Sequence, residues 1–446
     1  MTLCGNSSFN IEELNKGLSS IGIVGLGYVG LPLATLLATK YNVIGVDICL
    51  ERITELEDGF DRTNEITDIR KLRSKNLKFT NDCALLKECS VIIVTVPTPI
   101  DIYKVPDLGP LEAASKTVGK NLKPGTLVVY ESTVFPGLTE GKCCDWIEEE
   151  SGLEYNRDFF LGYSPERVNP GDKTHTIDKI VKVVSGSTVE VRDFLEALYE
   201  TVIPAGVHKA PNIATAEAAK IIENTQRDIN IGLINELAMI FDKIGLDSLE
   251  VLEAARTKWN FLDFRPGMVG GHCIGVDPYY LTHLAKSIGC NPEMMTAGRR
   301  VNDQMGSFIA EKIVRLMSGG EGKTGGTSRV LILGAAFKEN VPDMRNTRVL
   351  DLVEALRSFG VEVSVVDPLV DPGVFESEFG FPISTWEEVN AFDAVVYAVP
   401  HKIIKEEFCL PRVVEKLNTS SNLVVDIKGI YPKEQYEEFG LNVWRL

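Results

Sequence analysis

The chain has 446 residues and a net charge of −17 at neutral pH. Hydrophobic residues make up 44% and charged residues 24%, which excludes disorder, collagen and coiled coil. The acidity argues against broad binding to nucleic acid or to an anionic membrane, although a local basic pocket can still take an anionic substrate. No apolar stretch approaches the roughly 18–20 residues of a membrane span, and no basic-then-apolar leader opens the chain. The nine cysteines are scattered, without metal spacing. They are read as reduced thiols of a cytoplasmic protein with no metal site.

Residues 1–20 read as a polar tail, a disordered extension. Alternating strand and helix then follow: a strand at Ile21–Val24, a buried helix at Leu31–Thr39 and a strand at Asn42–Val46. Val91–Val96 and Thr126–Tyr130 are further buried strands, and Val181–Ser185 is expected to close the sheet. Short apolar runs separated by helices predict a parallel sheet with crossovers. From Ala214 to about Ile244 the sequence keeps a helical period without proline, with Ala216, Ala219, Ile222, Ile229, Leu233 and Leu237 near one stripe. One long connector helix, often a dimer interface, is set here against two shorter helices of a bundle. A Gly/Ser/Thr-rich stretch at 318–328 predicts a linker. Beyond it, strands at Val330–Leu333, Val361–Val366, Ala394–Val399 and Leu423–Ile427, with a helix at Thr347–Phe359, predict a second sheet. The fold class is therefore α/β: two Rossmann-like, doubly wound parallel-sheet domains joined by a long central helix and a helical region. The expected boundaries are 21–205, 206–317 and 329–446.

Ile21–Val24 runs directly into Gly25-Leu26-Gly27-Tyr28-Val29-Gly30. In this strand–turn–helix setting Gly25 permits a tight turn, Gly27 a close approach to a pyrophosphate, and Gly30 tight helix–sheet packing. The helix N-terminus then offers N–H groups to phosphates. Asp47, at the end of the second strand, stands where a ribose-binding acid belongs and favours NAD over NADP. Arg52 is the counter-signal, because an arginine can hold a 2′-phosphate. Pro97-Thr98 and Ser132-Thr133 end two further strands, where ligands of open α/β sheets sit. Ser132 can equally be a turn cap.

Glycines crowd around Cys273 in the segment 266–278, which ends on Asp277-Pro278. A thiolate there can attack an aldehyde, and the adduct can lose hydride to NAD and leave a thioester for water to cleave. The alternative is an inert buried cysteine beside a tight turn. Lys220 and Asn224 are four apart on one helix face and can donate to a developing oxyanion. Their alternative is a solvated helix face.

Together these residues resemble the UDP-glucose/GDP-mannose dehydrogenase family from about Ile21 to the C-terminus. The resemblance rests on the Gly25–Gly30 fingerprint, Ser132-Thr133, Lys220 with Asn224, the Gly270–Cys273 loop with Asp277, and Phe337-Lys338 with Asp343 and Arg345. It implies an NAD-binding domain, a central helical dimerisation region and a C-terminal UDP-sugar-binding domain. It also implies a four-electron oxidation of a sugar C6 alcohol to the carboxylate with two NAD. By that resemblance Cys273 is the nucleophile, Lys220 and Asn224 stabilise the C6 oxygen, and Asp277 supports the hydrolytic water. Thr133 and Glu166 hold a water, with Glu166 the proton acceptor. Lys338 contacts substrate, Arg345 reaches NAD, and Arg265 is a candidate sugar or phosphate contact. The 163–173 stretch, His272 and Val96 depart from plain UDP-glucose dehydrogenases and are similar to the branch acting on UDP-N-acetylglucosamine or UDP-N-acetylgalactosamine. UDP-N-acetylmannosamine and UDP-glucose stay open as alternatives, because one hydroxyl direction is not legible in a single sequence.

Two other readings compete. A two-electron dehydrogenase of the 6-phosphogluconate or 3-hydroxyacid type needs Lys and Asn but no cysteine. A non-catalytic nucleotide-sugar-binding protein has no use for Cys273, Lys220, Asn224 and Asp277 together.

Overall fold

The computed structural model describes residues 9–168, 174–271, 274–318 and 328–446. They form two compact units. The first runs up to Glu223 and includes Tyr279–Cys290. The second comprises Asn224–Pro278 and Asn291–Leu446. The segment expected as a central domain, 206–317, is thus shared between two units. Most of the expected linker, 319–327, lies outside the described residues.

The first unit holds eight strands: β1 Ser20–Val24, β2 Val43–Val46, β3 Leu77–Thr80, β4 Cys89–Val94, β5 Thr126–Tyr130, β6 Phe159–Tyr163, β7 Lys182–Gly186 and β8 Val207–Lys209. Their order is β3-β2-β1-β4-β5-β6-β7-β8. The reversal between β1 and β4 makes the switch point at which a doubly wound sheet binds its ligand. Both faces carry apolar cores, so the central strands are continuous apolar runs, as buried parallel strands must be. Two expectations are corrected. β7 pairs antiparallel with β6, and it does not close the sheet, because β8 lies outside it. β8 is an edge strand reading Val-His-Lys, half-buried to exposed, so it lacks the apolar run that betrays a buried strand.

The polar start of the chain is not wholly an extension. Phe9 is buried, edge-on to Phe160 at 5.5 Å and tilted against Phe194 at 4.9 Å. The side chain of Asn10 then caps a short helix, Ile11–Asn15. Residues 1–8 lie outside the described residues.

The second unit carries β9 Arg329–Leu333, β10 Glu362–Val366, β11 Ala394–Tyr397, β12 Leu423–Asp426 and β13 Asn442–Arg445. All are parallel, in the order β10-β9-β11-β12-β13. The long helix is one unbroken element of 32 residues, Ile213–Ile244. Its expected stripe is not buried along its whole length: Ala216 is fully covered, but Ile222 and Leu233 are 55% and 53% exposed.

Candidate active site

In the first unit the chain leaves β1 through Gly25, whose φ of +96° is open only to glycine without strain. Thr95, just past β4, donates its hydroxyl to the carbonyls of Val24 and Gly25 at 3.1 and 2.7 Å. A Cβ on Gly30 would lie 1.9 Å from the Gly25 carbonyl oxygen, so helix and turn touch backbone to backbone. A Cβ on Gly27 would meet nothing within 4 Å. That side of the turn is open, as a pyrophosphate approach requires. Val29 is the N-cap of the helix Gly30–Leu37, which has no side-chain cap, so its first N–H groups suit an anion. Tyr28 is half-buried in the same turn. The residues present therefore fit a dinucleotide.

Asp47 follows β2 and accepts from the Leu26 and Cys49 N–H groups at 2.8 and 2.9 Å. Arg52 is 5% exposed. It donates Nε to the Leu26 carbonyl at 3.0 Å and pairs with Asp61 at 2.7 Å. Arg52 thus braces the turn from beneath through these two bonds. Pro97 is exposed and Thr98 half-buried at the end of β4, and the neighbouring Pro99 carbonyl accepts from Tyr280 at 3.0 Å. Ser132 is buried and spends its hydroxyl on the Val96 carbonyl at 2.7 Å. Thr133 beside it is half-buried.

Glu166 lies just beyond β6. One of its oxygens accepts the Arg167 and Val168 N–H groups at 2.6 and 2.7 Å, and the other faces Lys182 Nζ at 3.3 Å. Lys182 also pairs with Glu131 at 2.7 Å, and Tyr199 donates to Glu131. Burial works against the Lys182 ammonium, but the two carboxylates outweigh it and raise its pKa above the ordinary value. Glu131, Lys182 and Tyr199 were not singled out from the sequence, since 51 residues separate Glu131 from Lys182 and no local pattern signals their pairing.

Lys220 and Asn224 are each only 8% exposed, so neither sits on a solvated helix face. In the second unit Asn224 donates its amide to Oδ2 of Asp277 at 2.6 Å. Asp277 opens the helix Asp277–Ser287, where the helix dipole favours a carboxylate. His272 and Cys273 lie outside the described residues. The glycines around them have a packing reason: a Cβ would fall 2.7 Å from the Asn346 carbonyl oxygen at Gly270, 2.6 Å from the Phe337 ring at Gly271, and 2.9 Å from the Asn346 amide at Gly275. Asn346 also bonds both ways to Gly271, at 3.1 Å through its carbonyl and 2.9 Å through its side chain. Asn235 does the same for Gly267, at 2.8 and 3.0 Å. Glycine density here serves close packing against Phe337 and Asn346.

Three buried cysteines are poor nucleophiles. Burial pushes the thiols of Cys89 and Cys144 up to about 12 and raises Cys143 as well, so they stay protonated. Arg265 pairs with Asp263 at 3.2 Å. Arg345 forks onto the Asp343 carboxylate of its own turn, at 2.7–3.1 Å. Lys338 is half-buried at the turn after β9. That turn repeats the device of the first unit. Gly334 has φ +91°, and Asp367, just past β10, accepts the Ala335 and Ala336 N–H groups at 2.7 and 3.2 Å.

Three family models match the chain in succession. The NAD binding domain of the UDP-glucose/GDP-mannose dehydrogenase family covers residues 19–203, its central domain 214–304, and its UDP binding domain 331–433. The chain belongs to the UDP-glucose/GDP-mannose dehydrogenase family. It is an NAD-dependent nucleotide-sugar dehydrogenase, and the two glycine-and-aspartate turns fall in the NAD and UDP domains of that family. Protein CapL of Staphylococcus aureus is 50% identical over 96% of this chain and 99% of its own. A UDP-N-acetyl-D-glucosamine 6-dehydrogenase of Pseudomonas aeruginosa is 49% identical over 93% and 98%. Among solved structures, a UDP-D-ManNAc dehydrogenase of Pyrococcus horikoshii superposes with a TM-score of 0.84 at 30% identity, covering 96% of this chain and 98% of that one. Among the described residues no helix is long and apolar enough to cross a membrane.

Proposed function

We propose that the protein oxidises the C6 hydroxyl of a UDP-N-acetylhexosamine, foremost UDP-N-acetylglucosamine, to the uronic acid. The near-full-length likeness to the Pseudomonas aeruginosa enzyme favours this sugar. The observation that carries the chemistry is the buried Asn224–Asp277 pair, which a plain nucleotide-binding module has no need to build. Bound NAD supplies the hydride acceptor for both oxidations. The turn Gly25–Gly30 cradles its pyrophosphate and Asp47 its ribose. Lys220 and Asn224 donate to the C6 oxygen as it gains negative charge, and Glu166, with Thr133, orients a water and takes the alcohol proton. The Cys273 thiolate adds to the aldehyde carbon, and loss of the second hydride leaves a thioester. Water, oriented by Asp277, then displaces the thiolate and releases the carboxylate. Lys338 and Arg265 contact the sugar nucleotide, and Arg345 reaches the cofactor.

Two NADH per sugar consumed, with UDP-N-acetylglucosamine preferred by kcat/KM over its C4 and C2 epimers and UDP-glucose, is the expected result. One NADH per sugar would return the reading to a two-electron dehydrogenase. Cys273→Ser should keep cofactor and sugar binding and lose acid formation.

The exposed apolar side chains of the long helix, Ile222, Leu233, Ile240 and Ile244, support a homodimer, and the scattered cysteines without metal spacing support a cytoplasmic location. Light scattering at twice the 49.1 kDa chain mass is the outcome expected, and a monomer at micromolar concentration would reject it.

A further inference from the structure

A buried charge pair rarely gains stability over apolar groups of the same volume, because both ions lose their hydration. Such a pair beside a ligand crevice therefore calls for a functional reason. In the first unit Glu131 and Lys182 have side-chain exposures of 0% and 4%, and Glu166 has 11%. Only Glu166 reaches toward solvent, so the network is directed outward at that one carboxylate. Behind it stand three rigid elements: Glu131 follows β5, Lys182 opens β7, and Tyr199 lies on the helix Val189–Glu200. Tyr199 and Lys182 between them occupy both oxygens of Glu131. The lysine is thereby held from one side and presents its ammonium to Glu166 from the other.

We propose that Lys182 is a positioning residue that acts through Glu166, with Glu131 and Tyr199 as its fixed support. This rests on the role proposed above for Glu166. Three donors converge on that carboxylate: two backbone N–H groups on Oε1 and Lys182 on Oε2. They fix its plane. Without Lys182 the carboxylate keeps its backbone bonds but is free to swing Oε2, and displacement by about 1 Å costs on the order of 10²-fold in rate. Sites built on strands and helices hold such geometry better than loops do. Glu166 lies in a loop segment just past β6, so it gains most from an anchor on β7.

The test is a double-mutant cycle on the full-length protein with Lys182→Met, Glu166→Gln and the combined variant. Turnover is divided by the number of NAD-binding sites found by titration, so that only folded protein is counted. Lys182→Met is expected to lower kcat about 10²-fold with the KM for NAD unchanged. The combined variant is expected to be no slower than Glu166→Gln alone. A combined loss equal to the product of the single losses would show that Lys182 acts independently, as a merely structural residue would, and would overturn the proposal. A Lys182→Met variant as fast as wild type would overturn it equally. Wild-type protein that reduces no NAD with any UDP-sugar would instead sink the functional reading on which the proposal stands.

Discussion

The amide of Asn224 and the carboxylate of Asp277 meet at 2.6 Å with both residues buried, 53 positions apart in the chain. One bond thus ties the long helix to the segment that follows Cys273. Asn224→Ala would leave a buried carboxylate short of a donor, at a cost of about 1–3 kcal/mol in unfolding free energy. If Asn224 also serves the C6 oxygen, kcat falls about 10²–10³-fold, the usual effect of removing one oxyanion donor. Chemical denaturation and steady-state kinetics separate the two. Lost stability with unchanged kcat would leave Asn224 a purely structural residue.

Gly30 is the tightest point of the cofactor turn. Gly30→Ala puts a methyl against the Gly25 carbonyl oxygen and the Thr95 hydroxyl, and backbone cannot yield as a flexible side chain can. A loss of about 2 kcal/mol in stability is expected, together with a weaker NAD association constant by calorimetric titration. Gly27→Ala has room in the protein itself, so it should leave the melting temperature near wild type while still weakening NAD.

Asp61 makes the brace of that turn acid-sensitive. Burial works to raise its pKa, but the Ile66 N–H, the Thr63 hydroxyl and Arg52 outweigh it and hold it below the ordinary 3.8. A carboxylate depressed in the folded state adds stability above its unfolded pKa, and that stability fades as pH falls through the folded value. Wild type should therefore exceed Asp61→Asn by about 3 kcal/mol at pH 6, with the gap closing below pH 3.8. A gap that persists unchanged to pH 2.5 would show that the Asp61 charge contributes nothing.

Asn346 holds Gly271 from a left-handed conformation, φ +55°. Asn346→Gly keeps that backbone and its carbonyl bond and loses only the amide. Asn346→Ala adds strain of about 1 kcal/mol. The alanine variant should therefore melt lower than the glycine variant. The reverse order would mean that the left-handed turn is not kept.

The parts of the molecule legible in the sequence are those set by neighbours along the chain. Gly25, Gly27 and Gly30 act within six residues, so their spacing alone carries the turn. The buried strands β1, β4 and β5 announce themselves because both faces of the sheet are covered. Edge strands β3 and β8 carry no such run, and the buried β6 is not among the expected strands either. Phe9 and Leu14 are buried, but the few apolar residues scattered through this polar stretch set up no clear period. The family, too, could be read from linear motifs.

What only tertiary structure decided is which side chains are spent on one another. Arg52 is spent on Asp61 and the Leu26 carbonyl. The Ser132 hydroxyl is spent on the Val96 carbonyl. The glycines near Cys273 are packed against Phe337 and Asn346, partners that no local pattern names. Lys182 has no partner pattern along the chain, and only folding brings Glu131 and Glu166 to it. Sequence determines the periodicities and backbone freedoms that act locally. Burial and long-range pairing assign each polar group its partner, because an unpartnered polar group away from water is too costly to keep.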